Sequence, residues 1–363
     1  MATRHVLNVL GDRLWTLPIL VLYLTDGCNS RCLTCDIWRS PRRNMRADLV
    51  DKLVADAAAL RSRWVVLSGG EAMQHPNWHD IAQKFRRSGA RVILLTNGLL
   101  VRRQIQSVID ATDELVVSLD GGTPETYSAI RGVDAFDLVL SGIESASSAG
   151  KPVITRTTLQ KANFREMPQI IRAALSAGAG RISFLAVDVS SPVAFGPRFV
   201  ADAALPVNSS SSDGAGSAAA PDPAPTDSAL TLEECDELSI VLDQVERDFA
   251  DAFAAGRLAE SPARLRQMVS YFRAIQGAAP FPAVRCNAPH ISAVVEVDGR
   301  VRPCYFLPTT GRVHHGADGV ALPKMLNSDA ALDLRRSYRA GERPECGACV
   351  CPLHKGARSL LQL

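Results

Sequence analysis

Apolar and polar positions alternate in blocks along the first half of the chain. Short runs rich in Val, Ile and Leu recur at Leu17–Leu24, Trp64–Leu67, Val92–Leu95, Leu115–Leu119, Val153–Leu159 and Ile182–Val187. Such runs predict parallel strands buried on both faces. Between them, Leu49–Leu60, Trp78–Ser88, Ile105–Asp110, Phe136–Ala149 and Met167–Ala177 repeat apolar residues at helical spacing. These predict amphipathic helices. Gly89, Gly150 and Gly178 follow three of them, where helices tend to stop. Six strands alternating with helices predict an α/β fold with a parallel sheet, open or closed into a barrel. In such sheets the chemistry sits at the carboxyl ends of the strands.

The pattern breaks at residues 203–229, a Ser/Ala/Pro-rich stretch with too little apolar surface to fold. Helical spacing returns over Leu230–Phe249, with Thr231 as a cap and Glu234 three residues on, and again over Ser261–Ile275. Beyond residue 281, Val294–Val297, Asp298-Gly299 and Arg300–Pro303 predict a hairpin with a tight turn. The chain thus divides into a core (1–200), a disordered linker (201–229), a helical connector (230–280) and a small cysteine-rich domain (281–363).

Composition narrows the function only a little. The 363 residues carry a net charge of +2, which demands neither nucleic acid nor an anionic membrane as partner. No run of 18 apolar residues occurs, and Leu17–Leu24 has no cleavage site behind it, so a cytoplasmic protein is expected. Arg39, Arg42, Arg43 and Arg46 form either a solvated loop or an anion-binding patch. The nine cysteines are more informative. Clustered thiols without secretory features bind metal more often than they pair.

Cys28, Cys32 and Cys35 fall in a CxxxCxxC spacing directly after the first expected strand. Structural zinc normally takes four protein ligands, as does a fully coordinated cubane cluster. Three thiolates leave one iron open, unless a distant residue completes a zinc site. Ser68-Gly69-Gly70-Glu71 ends the second strand, Leu95-Thr96-Asn97-Gly98 the third, and Val117-Ser118-Leu119-Asp120-Gly121 the fourth. Asn-Gly and Asp-Gly are also ordinary turn pairs. Taken together, these segments resemble the radical SAM superfamily over roughly residues 17–190, with Thr34 and Ala72 standing where the family often has an aromatic residue and a proline.

The resemblance implies a partial (β/α)6 TIM-type barrel. It implies a [4Fe-4S] cluster on Cys28, Cys32 and Cys35 that binds S-adenosylmethionine. Gly69, Gly70 and Glu71 would receive the methionine amino group, with Ser118 and Asp120 near its carboxylate and ribose. Asn97 and Arg156 are further cofactor candidates, and Asn163 is expected to shape a loop.

The second cluster comprises Cys286-x12-Gly299-x4-Cys304 and then Cys346-x2-Cys349-x1-Cys351. It resembles the SPASM and twitch extensions that follow radical SAM barrels. One auxiliary [4Fe-4S] cluster is implied, on Cys286, Cys304 and two of Cys346, Cys349 and Cys351, with Cys346 and Cys349 favoured and Cys351 as the leftover; zinc is the alternative. Cys235 reads as a buried small hydrophobe. Tyr305 and Arg302 flank Cys304 and are expected either to line a cavity or to pack around the cluster. Asp188, after the sixth strand, is the candidate base or substrate ligand, against an ordinary capping role. His75 and His79 read as loop or helix-face residues.

The implied activity is cleavage of S-adenosylmethionine to a 5′-deoxyadenosyl radical that abstracts hydrogen from a small polar or natural-product substrate. The auxiliary cluster would take the second electron, and an external flavodoxin- or ferredoxin-type donor would supply the first. A maturase of a ribosomally made peptide is the alternative. With 27 residues before Cys28, a separate peptide-recognition domain is not expected. A non-catalytic iron–sulfur electron carrier is the third reading, which leaves the Gly-Gly-Glu and Ser-Leu-Asp segments unexplained.

Overall fold

The computed structural model describes residues 7–190, 226–282, 286–314 and 320–351. Six strands form in the expected places: β1 (Ile19–Thr25), β2 (Trp64–Gly69), β3 (Arg91–Thr96), β4 (Glu114–Ser118), β5 (Val153–Leu159) and β6 (Arg181–Ala186). They pair in parallel in chain order. Leu20, Leu22 and Leu24 of β1 are fully buried, as are Val65 and Leu67 of β2. Each such side chain contributes about 1.5–3 kcal/mol. The result is the open, partial barrel expected from the pattern.

The crossover helices are α1 (Ala47–Ala59), α2 (Trp78–Arg87), α3 (Ile105–Ala111), α4 (Pro124–Arg131), α5 (Phe136–Ser148) and α6 (Met167–Ser176). Of these, α4 was not anticipated. Thr123 caps it, accepting a hydrogen bond from Thr126 N, and Pro124 opens its first turn.

Most of the expected linker lies outside the described residues. Its last residues depart from expectation: Thr226–Ser228 form a 3-10 turn, Ser228 and Ala229 are buried, and Ser228 O accepts from Lys161 N at 2.9 Å. The connector is α7 (Leu232–Asp248), with the expected reciprocal Thr231–Glu234 cap, and α8 (Pro262–Ile275). Residues 257–259 run along the outer edge of β6, bonded through Ile182 N and O. That covers an otherwise open sheet edge. Cys235 is buried within the core, as expected.

The cysteine-rich region is not a separate layer. Its first strand, β7 (Ser292–Val295), adds in parallel to the free edge of β1 in the register Ile19↔Ser292. The hairpin then turns at Gly299 into β8 (Arg300–Arg302) and β9 (Gly311–Arg312), completing a nine-stranded sheet. A helix α9 (Asp329–Arg339) follows. Its Arg335 and Arg339 donate to backbone carbonyls of Val9, Leu10 and Asp12, tying the two ends of the chain together.

Candidate active site at the strand ends

The loop after β1 carries Cys28, Cys32 and Cys35, all partly exposed. It is stitched to the turn after β2. Gly70 N donates to Thr25 O at 2.7 Å, and Glu71 N donates to Gly27 O at 2.8 Å. This approach needs residues without side chains. A Cβ on Gly70 would lie 2.3 Å from Gly27 O, and one on Gly69, at φ +132°, would lie 2.4 Å from Thr25 O. The cysteine loop and the Gly-Gly-Glu turn therefore form one unit.

Glu71 is 1% exposed. Its Oε1 accepts from Met73 N at 3.1 Å and from Thr96 Oγ1 at 2.9 Å; its Oε2 accepts from Asn97 N at 2.7 Å. Burial raises its pKa, opposed by those bonds. Asn97 braces the cysteine loop: its Nδ2 donates to Asn29 Oδ1 at 2.7 Å and Ser30 Oγ at 3.1 Å, and lies 3.9 Å from Cys28 Sγ.

Desolvation pushes the Cys28 thiol up and the Cys32 thiol up to about 12; Cys35 adds to the cost of ionising both, and Cys28 to that of Cys32. Gathered thiols that resist ionisation suit a metal centre, because bound metal displaces their protons. Among the described residues, no three His, Cys, Asp or Glu side chains converge tightly enough for a single ion. A cubane spreads its ligands over separate irons, and three thiolates leave one iron uncoordinated by protein. The donor set fits a cluster of that type.

Ser118 and Arg156 are register partners on β4 and β5, so both side chains face the same side of the sheet. Arg156 Nε is buried without a hydrogen-bond partner among the described residues. Each Asp120 oxygen carries a hydrogen bond: Oδ1 accepts from Thr158 N at 2.7 Å and Oδ2 from Arg131 Nη1 at 2.9 Å. Asn163 shapes the adjoining loop as expected, donating to Asp120 O and Thr158 O.

A cavity of about 270 Å³ opens beside this site, lined by Thr34, Arg156, Thr158, Asp188, Tyr305 and Cys351 among others. Asp188 Oδ1 accepts from Ser190 N at 2.9 Å, Ser190 Oγ at 2.6 Å and Tyr271 OH at 3.4 Å. A second cavity, of about 420 Å³, is lined by Cys286 and Cys346 with Tyr338 and Arg343. Tyr338 OH accepts from Cys286 N at 3.0 Å and donates to Cys286 O. Burial raises the Cys304 thiol, with Cys286 and Cys349 as electrostatic neighbours, and raises Cys346 to about 11, with Cys349 beside it. Cys286, Cys304, Cys346 and Cys349 thus share one neighbourhood, while Cys351 faces the first cavity.

Arg302 does not line that cavity. It is 2% exposed and pairs with Glu296 at 2.6 Å, while Tyr305 does reach the cavity wall. Arg43 and Arg46 pair with Asp26 and Asp48, and Arg39 lies 3.5 Å from Asp36, so these arginines are mostly spoken for. His75 is buried, its Nε2 against Met45 O and its Nδ1 accepting from Asn77 N; His79 lies beside Asp80. Arg131 was not anticipated at all. The signal was there in Thr123-Pro124 and Gly132, which frame a short helix ending on it.

The sequence matches the model of the radical SAM superfamily over residues 22–174. It is 33% identical over 169 residues to the AdoMet-dependent heme synthase of Methanosarcina barkeri, covering 45% of this chain and 48% of that protein. It is 32% identical over 146 residues to a probable GTP 3′,8-cyclase of Thermococcus kodakarensis, covering 39% and 48%. The chain spans about half the length of these curated relatives. In fold it is similar to Streptococcus suis SuiB bound to S-adenosylmethionine, with TM-score 0.63 and 13% identity over 95% of this chain and 75% of that one. It is also similar to anSMEcpe with bound AdoMet and a peptide, with TM-score 0.60 and 14% identity over 93% and 89%. The open barrel, the cysteine loop docked on the Gly-Gly-Glu turn and these matches agree on a radical SAM domain at residues 22–174.

Proposed function

We propose that this protein is a radical SAM oxidoreductase acting on a small polar molecule or natural-product intermediate. The carrying observation is the Glu71 N to Gly27 O bond of 2.8 Å, which fuses the three-cysteine loop to the Gly-Gly-Glu turn beside a polar cavity. Cys28, Cys32 and Cys35 hold a [4Fe-4S] cluster in this reading. With S-adenosylmethionine bound, that cluster supplies a 5′-deoxyadenosyl radical when an external flavodoxin- or ferredoxin-type donor reduces it. Gly69, Gly70 and Glu71 form the turn that receives the amino group, within reach of Asn97. Ser118 and Arg156, side by side, suit the carboxylate. Asp120, held by Thr158 N and Arg131 Nη1, keeps acceptor capacity for the ribose.

Cys286, Cys304, Cys346 and Cys349 hold an auxiliary cluster in this reading, and Cys351 lines the cavity of about 270 Å³. Asp188 keeps Oδ1 occupied by Ser190 and Tyr271 and turns toward the cavity. It takes the proton that a hydroxyl-bearing carbon sheds on oxidation. An auxiliary cluster held by those four cysteines would be the acceptor for the electron released in that step. The cavity of about 270 Å³ suits a small molecule.

A peptide maturase is the second reading. It is favoured by the shared architecture with SuiB, whose structure has been solved with its precursor peptide SuiA, and with anSMEcpe, solved with peptides. The cavity would then admit one side chain.

The test is anaerobic reconstitution, chemical reduction and addition of S-adenosylmethionine, with 5′-deoxyadenosine and methionine as readouts. Wild type is expected to form both and C32A neither. A fully iron-loaded, reduced wild type that forms none sinks the enzyme reading and leaves an electron carrier. Acceleration by small polyols, as opposed to a precursor peptide, separates the two enzymatic readings.

A further inference from the structure

Arg131 ends α4, and the last turn of that helix is bonded to the cysteine loop on both sides of Cys32. Arg31 N donates to Arg131 O at 3.1 Å, and Leu33 N donates to Ile130 O at 2.8 Å. Gly132 permits the contact: a Cβ there would lie 2.4 Å from Arg31 O. The guanidinium is thus carried by the element that packs directly on Cys32. Its side chain is 12% exposed. Nη1 donates to Asp120 Oδ2 at 2.9 Å, while Nε is buried with no acceptor among the described residues. A buried guanidinium with an unmet donor is costly unless negative charge lies close by.

Asp120 supplies one such charge, and a cluster on the cysteine loop that α4 packs against would supply another. At Cys32 the attraction of Arg131 outweighs the repulsion from Asp120.

We propose that Arg131 sets the reduction potential of the cluster held by Cys28, Cys32 and Cys35, and that Asp120 holds the guanidinium in place while partly cancelling it. The inference rests on the radical SAM reading of that loop. Reduction adds one electron, drawn from the external donor, and makes the cluster more negative; no bond forms or breaks in this step. A fixed cation in a poorly solvated site favours the reduced state and raises the potential. A fixed anion does the reverse.

The test is an anaerobic redox titration of the reconstituted full chain, followed by electron paramagnetic resonance. The first cluster is identified as the signal that S-adenosylmethionine perturbs. R131M is expected to shift that potential down, so that at the wild-type midpoint the reduced fraction falls severalfold. R131K stays close to wild type. D120N shifts the potential up, because it frees the cation from its counter-charge. Iron content is expected to match wild type in all three.

Shifts of R131M and D120N in the same direction overturn the inference, and so does the absence of a shift in iron-loaded protein. If R131M loses its iron, D120N decides alone: an unchanged or lowered potential there overturns the inference. A wild type lacking any signal sensitive to S-adenosylmethionine sinks the parent reading instead, and the inference falls with it.

Discussion

Asn97 and Glu71 clasp each other across the ends of β3 and β2: Asn97 N donates to Glu71 Oε2 at 2.7 Å, while the Asn97 side chain holds Asn29 and Ser30 of the cysteine loop. Glu71 accepts three hydrogen bonds in a site closed to water. Glutamine has the same shape but only one acceptor oxygen. In E71Q the new NH2 must face a backbone N–H in either orientation, that of Met73 or that of Asn97. Leaving one buried donor unmet costs about 1–3 kcal/mol. E71Q is therefore expected to unfold at lower denaturant concentration by that amount, before any question of cofactor binding. A midpoint within experimental error of wild type would show that the clasp is dispensable.

The close approach at Gly70 makes a sharper prediction. In G70A the added methyl meets Gly27 O at 2.3 Å and Asp26 O at 2.9 Å, both backbone atoms that cannot swing aside. The cysteine loop has to move. With four irons per cubane, wild type is expected to reconstitute with about eight irons per chain and G70A with about four, as in a C28A/C32A/C35A variant. Equal iron in G70A and wild type refutes the account of the loop and turn as one unit. Wild type near four irons removes the auxiliary cluster.

Those two residues also mark what the chain discloses about itself. The apolar strand runs, the CxxxCxxC spacing and the Gly-Gly-Glu turn are local patterns, and the structure places them together at one end of the sheet. The Thr231–Glu234 cap is equally local and forms as expected. Relations made in space are different. Asp120 and Arg131 are 11 positions apart, and their ion pair exists only because α4 folds back over the cysteine loop. The short α4 buries just Tyr127 and Ile130, too few to show a helical period. The parallel pairing of Ile19 with Ser292 joins strands from opposite ends of the chain, which no local pattern encodes. Glu71 was expected to serve a ligand, and its bonds to Met73, Thr96 and Asn97 could not be read from spacing.

Cys351 separates from the other late cysteines by what it faces. It lines the cavity with Arg156 and Asp188, whereas Cys346 lines the cavity with Cys286, and Cys304 has Cys286 and Cys349 as electrostatic neighbours. C351A is expected to keep about eight irons per chain, and C346A or C349A to fall toward about four. Iron and sulfide analysis after reconstitution checks this. Loss of about four irons in C351A, with full retention in C346A, would reassign the fourth ligand.

Glu260 supplies a pH test of the β6 edge. It closes the open edge of β6, its Oε2 accepting from Phe184 N and its Oε1 from Ser183 Oγ, each at 2.9 Å. Burial raises its pKa above the usual 4.5, outweighing those bonds and the nearby Arg156. A carboxyl whose pKa is raised on folding stabilises the folded state most when protonated. Its contribution is complete below about pH 4.5 and declines as pH rises through the higher folded value. E260Q stays neutral at every pH, and its amide can still accept from Phe184 N while donating to Ser183 Oγ. The difference in unfolding free energy, wild type minus E260Q, is therefore expected to fall as pH rises from 4.5 and to level off once Glu260 is ionised. Denaturant titrations of both proteins across pH 4–8 measure it. A difference that grows with pH would mean that the bonds to β6 outweigh desolvation and hold Glu260 ionised in the folded protein.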